Sequence, residues 1–189
     1  MKHDKFLAWM MAIAIASMTM TACSSDDNET EKPFTTDPVE SSMLYATGVS
    51  QSETRSVADA QNVLFTEDDI EWFDINTREL RFHDMEEPLY QKLRLLSGVE
   101  FRLGDQTLFS GSTFVGLVCN QVFDDLVLCC GKIEDGEVID NNCYYLYDCY
   151  PNTPWFLNDE RVQANRAKRA GQWEMFTKYL ESKGKLRKK

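Results

Sequence analysis

Beyond residue 22, this 189-residue chain has a single histidine, His83, and no two cysteines at Cys-x-x-Cys spacing. Tetrahedral zinc sites are built from clustered Cys and His, so their ligand spacing is absent. The acidic run Glu67-Asp68-Asp69-Ile70-Glu71 lacks the alternating oxygens and sharp-turn glycine of a Ca²⁺ loop. Nucleotide motifs and repeats of fixed period are missing as well. No apolar run reaches the roughly 20 residues that a membrane-spanning helix needs. A cysteine nucleophile would need His83, which reads as a turn residue at a strand end, before Asp84. Neither cofactor nor metal is expected, and no catalytic residue stands out.

What is present begins with an address. Lys2 and Lys5 precede a 15-residue, mostly apolar stretch from Phe6 to Met20, followed by Thr21-Ala22-Cys23. A positive head and a short apolar core make a removable export signal over residues 1–22. Ordinary cleavage requires small residues one and three places before the cut, and bulky Met20 occupies the second of these. Met20-Thr21-Ala22-Cys23 resembles the bacterial lipobox, although Met20 is an imperfect first residue. That resemblance implies that Cys23 carries the lipid and becomes the new N-terminus. Each buried acyl methylene adds about 0.8 kcal/mol of membrane affinity, so two or three chains hold a protein firmly without crossing. Ser24-Ser25-Asp26-Asp27-Asn28-Glu29 resembles the acidic signal that sends Bacteroidetes lipoproteins to the outer face of the outer membrane. The expected location is therefore the cell surface, with the periplasmic face as the alternative.

Charge is segregated along the chain. The whole sequence holds 20 Lys+Arg against 31 Asp+Glu. Residues 157–189 carry ten basic and four acidic side chains, while residues 23–156 carry eight and 26. Behind an export signal, a basic end points to the acidic body, an envelope partner or an anionic polymer rather than to nucleic acid. The plainer reading is a solvated helix face.

Residues 23–60, rich in Ser, Thr, Asp and Glu, read as the lipidated cysteine and a flexible tether. Residues 61–183 suffice for one domain with a core, and 184–189 form a basic tail. Within the domain, Thr66 and Asp69 suggest a capping box opening a short helix from Glu67 to Phe73, with Ile70 and Phe73 on one face. Arg78–Phe82 alternates as a strand, and Val99–Leu103 and Thr107–Phe109 flank a Gly104-Asp105 turn. Leu126–Cys130 and Cys143–Tyr150 read as central strands, and Pro151 and Pro154 stop the second. Ala170, Trp173, Phe176 and Leu180 form the apolar stripe of a last helix opening at Asn158 or Asp159 and ending at Gly184. The fold class is α+β: an antiparallel sheet built from hairpins with the C-terminal helix packed on it.

Setting Cys23 aside leaves Cys119, Cys129, Cys130, Cys143 and Cys149, an odd number, so one thiol stays unpaired in a monomer. A two-residue Asp135-Gly136 turn would set Leu128 opposite Cys143 and leave Cys130 a diagonal neighbour at 7–8 Å, at or beyond disulfide reach. Buried thiols acting as small hydrophobes is the expectation, with one or two bridges as the alternative.

Asp69-Ile70-Glu71-Trp72-Phe73, Thr77-Arg78-Glu79-Leu80, the segment Gln121 to Leu128, and Asp148-Cys149-Tyr150-Pro151 together resemble small uncharacterised lipoproteins of gut Bacteroidetes. This resemblance implies lineage and location, and no activity. Tyr144, Asp148, Tyr150 and Trp155 are the candidate ligand-binding residues. Flat rings beside a carboxylate would suit glycan contact, and a packed aromatic core is the alternative. The expected function is a lipid-anchored, non-catalytic binding or accessory module of the envelope. The alternatives are a small hydrolase using two of Asp124, Asp125 and Asp148, or an assembly protein docking through its basic C-terminal helix.

Overall fold

The computed structural model describes residues 43–50, 63–116, 120–134 and 137–188. The signal, Cys23, the acidic hexapeptide and Cys119 lie outside them. The described residues form strands β1 (Leu44–Val49), β2 (Val63–Thr66), β3 (Ile70–Asp74), β4 (Glu79–Phe82), β5 (Gly98–Leu103), β6 (Gln106–Phe114), β7 (Val127–Glu134), β8 (Glu137–Tyr147) and β9 (Leu186–Arg187), and helices α1 (Leu89–Leu93), α2 (Pro154–Leu157), α3 (Glu160–Lys168) and α4 (Ala170–Ser182). The class is α+β, but the single sheet is mixed rather than purely antiparallel. Its order is β2-β1-β5-β6-β7-β8-β4-β3-β9, with β6–β7 and β3–β9 running parallel.

That order forces curvature. β2 and β4 stand six strand spacings apart, about 29 Å in a flat sheet. Yet the Phe65 ring of β2 lies 4.8 Å from Phe82 of β4 and 5.7 Å from Phe101 of β5. Only three residues, 67–69, carry the chain from β2 to β3. The sheet therefore curls until its two ends meet, and the apolar side chains of both ends fill one enclosed interior with Phe73, Phe109, Tyr144 and Leu146.

The turn at this meeting replaces the helix expected over Glu67–Phe73. The Asp69 carboxylate accepts hydrogen bonds from the Thr66 backbone N–H at 2.7 Å and from its hydroxyl at 3.1 Å. This is half of the capping-box bonding, used here to close a turn. Strand β3 then follows with a bulge between Ile70 and Trp72, where register on β4 passes from Phe82 to Arg81. One extra residue shifts the alternation, so Ile70 and Phe73 both face inward at a three-residue spacing that imitates a helix.

The N-terminal boundary also moves. Leu44–Val49, read above as tether, pairs with β5 along its whole length, and Leu44 and Ala46 are fully buried. At the other end the expected helix is broken at Arg169 into α3 and α4, Gly184 terminates α4 with a left-handed φ of 69°, and the tail continues as β9 beside β3. Residues 184–188 thus belong to the domain. Phe176 of α4 sets its ring 5.4 Å from Phe73, 5.8 Å from Phe101 and 5.3 Å from Phe109.

Glu67 gathers these ends. Its carboxylate accepts from the Leu44 N–H at 3.0 Å, from the Tyr179 hydroxyl and from Lys183 at 3.0 Å, while Lys185 Nζ donates to the carbonyls of Glu67 and Ile70. Burial pushes the Glu67 pKa up, but hydrogen bonds from Tyr179, Leu44 and Lys183 together outweigh it, leaving it below the ordinary 4.5. A depressed carboxylate pKa stabilises the fold above the unfolded value, and that contribution disappears as pH falls below about 4.5 through the folded value. Urea titrations between pH 7 and pH 3 should show a loss of midpoint over this range that is smaller in Glu67→Gln.

Strands β7 and β8 occupy positions five and six of nine; the expected Asp135-Gly136 turn lies outside the described residues, and Glu134 pairs with Glu137. Beyond it the register departs from the ideal hairpin. Two bulges bring Leu128 opposite Leu146, rather than Cys143, and Cys130 opposite Tyr144. Gly131 marks the irregularity, since a Cβ there would stand 2.6 Å from Cys143 Sγ and 2.8 Å from its carbonyl oxygen. Strand β8 stops at Tyr147, before Asp148 and Cys149.

Candidate functional site

The turn between β3 and β4 aims an arginine inward. Asp74 Oδ1 accepts the N–H groups of Asn76 and Thr77, both at 2.9 Å, and the Asp74 carbonyl accepts the Arg78 N–H at 2.8 Å. Arg78 takes a left-handed φ of 66°, a conformation that costs a non-glycine residue about 1–2 kcal/mol. Its carbonyl accepts the Leu146 N–H of β8 at 2.9 Å, which fixes the backbone. Its guanidinium lies 4.3 Å over the Trp173 ring and donates through Nη2 to Asp148 Oδ2 at 2.7 Å.

Asp148 is the hub of this cluster, with 6% of its surface exposed. Arg169 Nη2 donates to Oδ1 at 2.6 Å, and Arg166 Nε stands 3.4 Å from Oδ2. The two arginines are three apart, so α3 and its junction with α4 present them on one side. Asp159 caps α3 by accepting the Arg161 N–H at 2.9 Å, and Asn165 Nδ2 donates to the Asp124 carbonyl at 3.0 Å. Asp125 is bonded to Arg169 Nη1. Three guanidinium groups therefore face two carboxylates.

Arg78, Asp148, Arg166, Arg169 and Trp173 line a cavity of about 370 Å³, and the short side chains of Ala167 and Ala170 keep it open. Arg78 Nη1 is buried with no hydrogen-bond partner. Burial pulls the Arg78 pKa below the ordinary arginine value, Asp148 opposes that, and the charges of Arg166 and Arg169 add to the lowering.

The four expected ligand-contact residues do not converge. Tyr144 is fully buried, its ring at 90° to Phe82 and 5.4 Å away, so it is a core residue and is removed from any surface site. Tyr150 places its ring 4.6 Å from Phe114 and pairs its backbone with Phe123. Trp155 is 70% exposed and lies 5.3 Å from the Phe156 ring. Asp148 alone belongs to the arginine cluster. Asp124 stands 3.5 Å from Arg161 Nη1, and Asp125 and Asp148 are joined through Arg169 rather than opposed across a cleft.

Cys129, Cys130, Cys143 and Cys149 form no disulfide. Burial, reinforced by Glu79, pushes the Cys143 thiol up to about 11, and burial does the same at Cys130. Those two thiols stay protonated at neutral pH, the opposite of an activated nucleophile. The backbone N–H of His83 donates to the Asp69 carbonyl at 2.9 Å, with the residue exposed at the strand end. Among the described residues no three Cys, His, Asp or Glu side chains gather as a metal site.

No protein-family model, curated protein or solved structure matches the chain. The site is thus read on its own chemistry. Arg166 and Arg169 escape sequence reasoning because an arginine on a polar helix face reads as solvated, while Arg78 reads as the start of a strand and Trp173 as part of the apolar stripe of the last helix. The one available signal is the excess of basic residues after position 156.

Proposed function

We propose that the protein is a lipid-anchored module of the outer membrane, facing the cell surface, that binds a ligand or assists a neighbour without catalysing a reaction. The observation that carries this reading is the order of Lys2 and Lys5, the apolar stretch to Met20, and Cys23 followed by acidic residues. No helix among the described residues is long and apolar enough to cross a membrane, and the lipid on Cys23 supplies the attachment. Helix α4 seats on the curled sheet and holds Trp173 at the cavity lined by Asp148 and by Arg169 of the α3–α4 junction, which becomes the ligand site. The non-catalytic part of the reading is supported by the carboxylates, since both oxygens of Asp148 accept from guanidinium donors. Trp155, exposed in the proline-bounded segment, is the aromatic candidate for glycan contact.

Metabolic labelling of the producing bacterium with an alkyne palmitate tests the anchor. The wild-type protein should carry label, sediment with outer membranes and be shaved by protease from intact cells, whereas Cys23→Ser should lose label. Retained label in that variant would place the lipid elsewhere, and resistance to shaving would turn the protein to the periplasmic face.

A further inference from the structure

The arginine cluster is over-supplied with donors for the acceptors it holds. Arg78, Arg166 and Arg169 present three forks to Asp148 and Asp125, a surplus of one positive charge. An ion cluster serving only to join β8 to α3 would be expected to balance its charges and satisfy its buried donors, because an unmet buried donor is costly. Here Arg78 Nη1 is left without a partner, its backbone is held in a left-handed conformation, and the cluster borders an open cavity rather than packed side chains. Guanidinium forks match the paired oxygens of a carboxylate or phosphate group.

We infer that the cavity between Arg78, Arg166 and Arg169 binds a small ligand through an oxyanion, either a carboxylate or a phosphate. The inference rests on the proposed binding role and names the chemistry of its ligand. Arg166 is the entry contact, since its side chain is 43% exposed and its Nε stands 3.4 Å from Asp148 Oδ2. Arg169, 10% exposed and held by two carboxylates, is the fixed wall. The cavity has room for an anionic group and a body the size of a single sugar ring.

Isothermal titration of the full-length lipoprotein in non-ionic detergent, with ionic strength fixed, tests this with sodium galacturonate, inorganic phosphate and neutral galactose. Saturable heat with galacturonate alone assigns a carboxylate ligand, with phosphate alone a phosphorylated one, and with both an oxyanion site of either kind. Galactose should give none. Arg166→Gln should weaken binding about tenfold, the loss expected for a charge-assisted hydrogen bond, with an unchanged melting temperature. Ala167→Leu leaves every charge in place but narrows the cavity, and should weaken binding comparably. Absence of saturation by either anion at about 10 mM, ten times a weak 1 mM dissociation constant, overturns the inference. So does undiminished affinity in both variants, which would assign the heat to diffuse surface charge. Palmitate labelling reads the anchor independently, so failure to bind these anions leaves the envelope reading standing.

Discussion

Asp148→Asn is expected to destabilise the protein by about 3–5 kcal/mol, the cost of removing one partner from a buried ion pair. The side chain is 7% exposed, and its oxygens hold Arg78 from the β3–β4 turn and Arg169 from the α3–α4 junction. An amide of the same shape can still accept through its oxygen, but its NH₂ group would face guanidinium donors, and three cations would remain with Asp125 alone. By contrast, Arg166→Gln should change stability by less than about 1 kcal/mol, because the 43% exposed guanidinium returns to water. The measurement is urea unfolding of both variants beside the wild type. The Asp148→Asn midpoint should fall with an unchanged slope, the sign of lost stability rather than an altered denatured state. Equal midpoints for the two variants would mean that the cluster does not hold β8 to the helices.

The elements read correctly from sequence are those whose signal is local. Val99–Leu103 alternates because one face of β5 is buried, and Gly104 supplies the positive φ of 56° that its turn uses. The unbroken apolar run after Asp125 belongs to a strand flanked on both sides. Errors arose where a distant contact changes the meaning of a local pattern. Thr66 and Asp69 carry genuine capping chemistry, but β4 supplies a partner for Ile70–Asp74 and the segment extends. Leu44-Tyr45-Ala46 is too short to lift the polar average of residues 23–60, and of its two pairing partners β5 lies more than 50 residues away. The β7–β8 register keeps the ideal pairing at Glu134–Glu137 and Ile133–Val138 and then slips through bulges between Ile133 and Cys130, which no alternation rule anticipates. Parallel pairing of β6 with β7 leaves no trace in periodicity at all.

The site was half legible for a related reason. Asp148 stands out among aromatic neighbours, and sequence reasoning placed it with the rings that follow it in the chain. In the fold its neighbours are cations from positions 78, 166 and 169, gathered from a turn and a helix. Tyr144, chosen for the same cluster, lies on the inward side of β8 and joins the core. Burial separates these two residues, and it depends on the curl of the whole sheet rather than on their own segment.

That curl gives the largest packing prediction, Phe176→Ala, expected to cost about 3–5 kcal/mol. The Phe176 ring touches aromatic rings from three strands, Phe73, Phe101 and Phe109, and stands 5.5 Å from Trp173 on its own helix. The strand rings are held by paired backbones, so the space left by truncation cannot collapse, and a cavity term adds to the lost burial. Trp155→Ala removes a larger ring, but one that is 70% exposed, and should shift stability by no more than about 0.5 kcal/mol. Differential scanning calorimetry on the two variants separates these contributions. A Phe176→Ala melting temperature close to wild type would show that α4 does not seat on the sheet interior. A lowered one, accompanied by weaker anion binding, would tie that seat to the cavity, because Trp173 lies one helical turn before Phe176 and carries the Arg78 guanidinium on its face.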